Sequence, residues 1–128
     1  MPVDQPKKKR IKVQSAKQKG RNLQKWLAGK IGEVTGFEVG KDTDIESRPM
    51  GQSGIDVRLS KAVLKRFPFS PECKAQEILR IGEWIEQAKA NQLPKTDWLL
   101  CVKKNAMKPI IIIDGNVFFE LIRKLLSK

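Results

Sequence analysis

The sequence contains no histidine. This absence excludes general-base chemistry and metal binding through an imidazole, and with them most zinc sites. Cysteine is scarce too: Cys73 and Cys101 both fall within predicted strands, and we expect them to be buried free thiols in a reducing compartment. Any metal would therefore be held by oxygen ligands, which favours Mg²⁺ or Mn²⁺.

Long apolar runs are also missing. No run approaches the length of a membrane span, so we expect no membrane partner. The N-terminal segment is basic, but no apolar stretch with a small-residue cleavage site follows it, which argues against a secretory signal. We therefore expect the protein in the cytoplasm of a bacterium or a phage-infected cell, or in the nucleus of a eukaryote.

Acidic residues are outnumbered by basic ones. The 14 Asp and Glu residues against 26 Lys and Arg residues give a net charge of +12, which indicates a polyanionic partner, nucleic acid before a membrane surface. The bases are densest at the N-terminus, where we expect DNA phosphates to be bound by Lys7, Lys8, Lys9, Arg10, Lys12, Lys17, Lys19, Arg21 and Lys25. A solvated tail that improves solubility, or a nuclear localisation signal over residues 6–13, are the alternatives.

The apolar pattern predicts an α/β fold with a mixed central sheet flanked by helices, preceded by a flexible basic tail over residues 1–16. The single domain is predicted over residues 17–128, since this length suits one small core. Predicted helices cover residues 17–34, 60–66 and 78–90, and a last one follows a cap at Asp114 or Asn116. Predicted strands cover residues 44–50, 55–59, 69–74, 98–102 and 109–113.

The sequence also predicts which strands and which helix faces are buried. We expect the last two strands to be buried, because each is a continuous apolar run. The first helix is predicted to turn an apolar stripe inward, formed by Leu23, Trp26, Leu27, Ile31 and Val34. The last helix is predicted to do the same with Val117, Phe118, Leu121, Ile122 and Leu125.

A Glu-X-Lys triplet, Glu72 to Lys74, lies in the third predicted strand. Side chains alternate along a strand, so Glu72 and Lys74 should point one way and Cys73 the other. Asp56 opens the preceding strand just after a glycine turn and offers a second carboxylate. Two carboxylates beside a cation suit hydrolysis of a phosphodiester, because a metal activates water and holds the phosphate while the cation lies near the attacking oxygen.

The surroundings of the triplet bear on this interpretation. Phe67, Phe69 and Pro71 give it an apolar context, in which a carboxylate without a task would be costly. The alternative is a surface ion pair between Glu72 and Lys74 with a turn aspartate at position 56.

Asp56 followed by Glu72-Cys73-Lys74, between a basic first helix and a later helix, resembles the PD-(D/E)XK nuclease superfamily. The predicted order of elements is similar to the αβββαβ core of its restriction-endonuclease-like fold. Lys19-Gly20-Arg21, at the opening of the first helix, and Ser53-Gly54-Ile55-Asp56 resemble the Holliday junction resolvases of archaeal and phage type. The likeness covers residues 17–113.

The resemblance implies a Mg²⁺- or Mn²⁺-dependent endonuclease that cuts branched DNA in recombination or repair, as a homodimer. It implies that Asp56 and Glu72 bind the metal together with the Cys73 carbonyl. Lys74 would orient the water or stabilise the developing charge, and Ser53 would be the active-site serine.

The sequence departs from the family at two positions. Ile55 stands where the name-giving motif has proline, and Gln24 stands where resolvases carry a metal-binding glutamate on the first helix. Gln87 resembles a glutamine on the later helix of some relatives, so Gln24 and Gln87 are candidates for a supporting role. Two rival functions stay open: a nuclease of the same fold for nicked, flapped or linear DNA, and a non-catalytic basic DNA-binding protein.

Overall fold

A computed structural model describes residues 5–48 and 56–128 of the chain. Ser53 and the predicted glycine turn lie outside these residues. Along the described part, the helices are α1 Gln5–Thr35, α2 Lys61–Arg66, α3 Ile81–Ala90 and α4 Gly115–Leu126. The strands are β1 Ile45–Ser47, β2 Val57–Leu59, β3 Phe69–Ala75, β4 Asp97–Lys103 and β5 Ile110–Ile112.

The predicted α/β fold class is confirmed, with a mixed sheet between helices. β4 lies in the middle of a three-stranded sheet, where it pairs parallel with β3 and antiparallel with β5. β1 and β2 pair antiparallel in a separate two-stranded sheet, with Ile45 opposite Leu59. The predicted strands are therefore divided between two sheets, and β2 does not extend the hydrogen-bond ladder onto β3.

Two layers of apolar side chains cover the two faces of the three-stranded sheet. Because neighbouring residues of a strand face opposite ways, β4 contributes Leu99 and Cys101 to one layer and Leu100 and Val102 to the other. The layer under α1 contains Leu23, Leu27, Ala28, Ile31, Ile45, Val57, Leu59, Val63, Phe69, Leu99 and Cys101. The layer under α3 contains Trp84, Ala88, Trp98, Leu100 and Val102.

Helix α1 begins at Gln5, well before its predicted start near residue 17. Lysine, arginine and glutamine favour helix, and Pro6 in the first turn is tolerated because its missing N–H has no partner there in any helix. The helix ends at Thr35, and Gly36 follows with a φ of 80° that favours glycine. Gly32 is required for packing, since a Cβ there would lie 2.6 Å from Cγ2 of Val39.

Side chains cap the starts of α2 and α4, and at α4 this confirms the predicted cap at Asp114. The Ser60 side chain accepts a hydrogen bond from the Val63 N–H at 3.3 Å, and Asp114 Oδ1 accepts one from the Asn116 N–H at 2.8 Å. The predicted start of α3 was wrong: the helix begins at Ile81, and Ile78 and Leu79 before it are exposed.

The burial predicted for the end of the chain was also wrong. β5 lies at an edge of its sheet, where Ile110 and Ile111 are exposed, so the run over residues 109–113 is not a buried strand. No residue of α4 is buried; Val117 and Ile122 are half-buried, while Phe118, Leu121 and Leu125 are exposed. The apolar pattern marks side chains that favour burial, and Val117 does pack against the layer under α1, whereas Phe118, Leu121 and Leu125 stay open to solvent in the described chain.

Candidate active site

Asp56 stands immediately before β2, beside the free edge of β3. Its Oδ2 accepts a hydrogen bond from the backbone N–H of Cys73 at 2.7 Å. A carboxylate therefore takes the N–H that a continuous ladder between β2 and β3 would have used. The Asp56 side chain thus connects the two sheets at this point. It places a carboxylate against β3, the strand that carries the Glu-X-Lys triplet.

Glu72 and Lys74 lie on one face of β3, as the alternation predicts. The Lys74 Nζ is 3.9 Å from the Glu72 Oε2. Glu72 is only 7% exposed, so the interpretation of this pair as an ordinary surface ion pair does not fit its burial. Three charged groups therefore belong to one site on β3: the carboxylates of Asp56 and Glu72 and the ammonium of Lys74. These three groups form the rim of β3.

Cys73 points away from this rim. Its side chain packs into the layer under α1, next to Cys101, its partner residue on β4. A hydrogen bond to the Cys101 thiol, followed by burial, raises the pKa of the Cys73 thiol well above its ordinary value. Both cysteines are free thiols, and at neutral pH Cys73 is not a thiolate ligand. Only its backbone remains available to the site.

Burial raises the pKa values of both carboxyl groups. For Asp56, the Cys73 N–H and the charge of Lys74 oppose this effect without cancelling it. For Glu72, burial acts together with the negative charge of Asp56, while Asn91 and Lys74 lower the pKa. The charge of Asp56 therefore disfavours ionisation of Glu72, an effect that acts at short range. A bound cation would remove this repulsion.

Asn91 is a residue that the sequence did not single out. It is the C-terminal cap of α3, and its Nδ2 donates a hydrogen bond to the Glu72 Oε1 at 3.3 Å. Gln87, one turn earlier on α3, is exposed. An asparagine at a helix end is a common capping residue, so its presence there gave no separate signal of a contact with Glu72.

Gln24 is buried on α1, where its Oε1 accepts a hydrogen bond from the Ser47 hydroxyl at 3.1 Å. Ser47 is the β1 partner of Val57, the residue that follows Asp56. Gln24 thus lies beside the pair of strands that carries Asp56, where it supports their position. Glu33, a carboxylate further along this helix, is exposed and pairs with Lys30 at 3.3 Å.

The donor set at β3 fits a small, hard cation. Mg²⁺ is commonly bound by one or two carboxylates, with waters and substrate phosphates as its other ligands, and Asp56 and Glu72 supply that number. The Cys73 carbonyl, the third ligand that the resemblance implies, belongs to the same strand. Among the described residues there is no cluster of three or more acidic, thiol or imidazole groups suited to hold a metal. Two carboxylates would leave the other coordination positions of such an ion to water and substrate.

The predicted DNA-binding bases extend along α1. Lys17, Arg21 and Lys25 are exposed and Lys19 is half-buried. The backbone of residues 7–12 belongs to the same helix, so the predicted arm continues α1 in one direction.

Comparison with known proteins found no matching family model, no matching curated protein and no matching solved structure. In the part of the chain that the structure describes, none of the helices has the length and apolar character of a membrane span.

The raised pKa of Asp56 predicts a stability cost for keeping this acid ionised. A pKa that is higher in the folded state adds stability below the unfolded value, ordinarily 3.8, and this stability is lost as pH rises through the folded value. Asp56→Asn keeps an oxygen for the Cys73 N–H and removes the charge. We expect it to unfold at a higher urea concentration than wild type at pH 7, and to lose this advantage below the unfolded pKa.

Glu86→Gln is the control for this measurement, since it removes an exposed carboxylate of α3 and changes the net charge equally. An Asp56→Asn protein no more stable than the Glu86→Gln protein at pH 7 would contradict the burial of an ionised Asp56.

Proposed function

We propose that this chain is a Mg²⁺-dependent endonuclease of the PD-(D/E)XK type that cuts branched DNA by phosphodiester hydrolysis. The observation that carries the proposal is the hydrogen bond from the Cys73 N–H to Asp56, which brings a second carboxylate to the strand of Glu72 and Lys74. A protein that only binds DNA through its basic helix has no need of a buried Glu72 and a half-buried Asp56 that both have raised pKa values.

Each residue of the rim has a task in this reaction. Asp56 and Glu72 would hold the metal, and Asn91 orients the Glu72 carboxylate by donating a hydrogen bond to its Oε1. A bound Mg²⁺ supplies an activated water and neutralises charge on the phosphate. Lys74, next to Oε2, orients the attacking water or stabilises the charge that develops on the phosphate oxygens. Ser53, outside the described residues, is proposed as the active-site serine.

The basic helix α1 is proposed as the surface that binds the DNA backbone. Its bases carry much of the excess charge, and phosphate contacts position a duplex without reading its sequence. Shape recognition of a junction requires only such contacts. A cytoplasmic or nuclear location and a role in recombination or repair accompany this proposal. The second candidate, a nuclease for nicked, flapped or linear DNA, uses the same rim and differs only in the DNA that α1 accepts.

A homodimer is proposed as the active form, joined through the apolar surface of α4 and β5. It would use Phe118, Leu121 and Leu125 of α4 and one face of β5, since Ile110 and Ile111 are both exposed but point to opposite faces of the strand. A symmetric dimer needs a patch that complements itself, and an apolar patch meets this requirement better than a charged one. β5 is also an edge strand, which offers backbone groups to a second β5. Two active sites related by a two-fold axis would cut symmetric strands of a junction.

Cleavage of a synthetic four-way junction, compared with linear duplexes of the same arms, tests the proposed function. We expect cleavage of the junction with Mg²⁺ or Mn²⁺. With Ca²⁺ we expect binding without cleavage, because this larger ion should occupy the site without supporting in-line attack. Without a divalent ion, we expect junction binding alone.

The controls in this assay separate the rival functions. Equal cleavage of linear duplex would favour the second candidate, and cleavage of nicked or flapped duplex alone would do the same. Junction binding with no cleavage in Mg²⁺ or Mn²⁺ would reduce the protein to a DNA-binding protein and contradict the nuclease proposal.

A further inference from the structure

A hollow of about 280 Å³ lies between α1 and the C-terminal ends of β3 and β4. Its apolar lining comes from Leu23, Trp26, Ala75 and Pro109. The volume is just below the usual range of ligand sites, about 300–1,000 Å³, so it suits one small planar group better than a larger ligand. Neither the metal chemistry nor the dimer surface proposed above uses this hollow.

Trp26 distinguishes the hollow from an ordinary packing defect. The apolar stripe of α1 predicts this residue inside the core, but it is 37% exposed, whereas Trp84 and Trp98 are 3% and 9% exposed. Trp26 is thus the one accessible tryptophan of the chain. An indole in an open apolar recess provides a stacking surface for a flat ring.

The rim of the hollow is cationic. Lys19 on α1 and Lys103 and Lys104 at the end of β4 line it. One carboxylate, that of Glu77, also lies there, but its Oε2 accepts a hydrogen bond from the Asn105 backbone N–H at 2.8 Å, which ties it to the loop after β4. An apolar recess with three ammonium groups at its mouth matches a ligand with a flat ring and attached negative charges.

Asn22 adds a polar group to the same wall. Its Oδ1 accepts a hydrogen bond from Gln18 Nε2 at 2.8 Å, so its amide nitrogen is the end that remains to donate to a ring acceptor. Carboxamide groups commonly recognise base edges.

The hollow is adjacent to the candidate active site along the chain. Ala75, in its lining, directly follows Lys74 on β3, and consecutive Cα atoms are about 3.8 Å apart. The two side chains point to opposite faces of the strand, so the hollow and the catalytic rim lie on either side of the end of β3. A nucleic acid strand that passes over this end would meet both.

We propose that this hollow binds the base of one unpaired nucleotide of DNA held at the active site. The base stacks on Trp26, and its flanking phosphates contact Lys19, Lys103 and Lys104. A paired base is not available for such a stack, so the hollow favours DNA with unpaired nucleotides near the cut, as at an open branch point or a flap. This inference rests on the proposed function only for the identity of the ligand as DNA.

The test compares two duplexes of the same sequence, one fully paired and one with a short oligothymidine flap. Binding is measured by fluorescence anisotropy of labelled DNA in buffer with EDTA, so that no cleavage occurs. We expect wild type to prefer the flapped duplex. Trp26→Ala should weaken binding of the flapped duplex about 5- to 150-fold, the effect of removing one base stack, and leave the paired duplex unchanged.

Trp26→Phe keeps an aromatic ring and should retain most of the preference. It also controls for folding and for the source of the signal. Binding of the flap should quench the tryptophan fluorescence of wild type, and this quenching should be absent in Trp26→Phe, because Trp84 and Trp98 are buried. Quenching that persists in Trp26→Phe would overturn the proposal, as would an equal loss of affinity for both duplexes or no loss in Trp26→Ala.

A matched pair of lysine variants tests the rim. The double variant Lys103→Ala, Lys104→Ala should lose more affinity for the flap than Lys61→Ala, Lys65→Ala, which removes the same charge from the exposed α2. The salt slope of log K for the flap should fall by about 0.7 for each phosphate of the single strand that the variant no longer binds. Equal reductions in affinity for the two double variants would show that the lysines at the hollow act only through the overall charge. This result would overturn the proposed site.

These results are independent of the chemistry. Preference for the flap without cleavage in Mg²⁺ would contradict the nuclease and leave the pocket standing. Cleavage by a protein without the Trp26-dependent preference would contradict the pocket alone.

Discussion

Alanine at Asp56, Glu72 or Lys74 should lower the rate of junction cleavage by about 10²- to 10⁴-fold, the loss expected for a group that acts directly on the reacting atoms. Affinity for the junction should change little, because the phosphate contacts come from α1 and not from the rim of β3. Single-turnover cleavage in Mg²⁺ and binding in Ca²⁺ measure the two quantities separately.

The folding of these variants needs its own control. Asp56→Ala leaves the Cys73 N–H without its acceptor, which costs on the order of 1–3 kcal/mol of stability, whereas Asp56→Asn keeps an acceptor oxygen. Asp56→Asn should lose cleavage while it gains stability at pH 7. Glu86→Ala and Lys89→Ala, an exposed ion pair on α3, serve as matched controls and should cut normally. A folded Glu72→Ala protein that cuts at the wild-type rate would show that the site is misassigned.

The double variant Leu121→Glu, Leu125→Glu should dissociate the proposed homodimer. Burial of a leucine side chain contributes about 1.5–3 kcal/mol, and the variant removes two leucines from each protomer and so four from a symmetric dimer. The dimer Kd should therefore rise by about 10⁴-fold or more. Analytical ultracentrifugation should then find a monomer at concentrations where wild type is a dimer. A wild-type protein that is monomeric throughout this range would contradict the dimer.

Salt and a second double variant sharpen the dimer prediction. Each chain carries a charge of +12, so salt should strengthen the association of two copies by screening their repulsion while it weakens DNA binding. Ile78→Glu, Leu93→Glu adds the same charge at two exposed apolar residues outside α4 and β5 and should leave the dimer intact. An equal loss of dimer in this control would indicate general repulsion, not a specific surface.

The proposed dimer surface and the proposed stacking pocket both contain apolar side chains that the sequence predicts to be buried and the structure shows to be exposed. The amphipathic pattern of α4 and the stripe of α1 mark which side chains avoid water. Whether such a side chain is buried depends on which other element lies against it. Phe118 and Trp26 belong to apolar stripes, yet α4 follows an edge strand, and the part of α1 that bears Trp26 passes over the open ends of β3 and β4.

Local chemistry was sufficient for much of the chain. The caps at Ser60 and Asp114, the helical steps of α1 and α3, and the strand with Glu72 and Lys74 on one face follow from interactions within a few residues. These interactions are nearly independent of the rest of the fold, so the sequence by itself determined the types and order of the elements and the alternation at the triplet.

Only the tertiary structure decided how the elements are combined. It set the division of the strands between two sheets. It also brought Asp56 to the Cys73 N–H, 17 positions away, and Asn91 to Glu72, 19 positions away. A hydrogen bond between distant residues has no periodic pattern in the sequence, because its geometry is set by the packing of whole elements. The sequence therefore predicted which two acids form the site, Asp56 and Glu72. Their positions relative to each other are set by the packing of the whole fold.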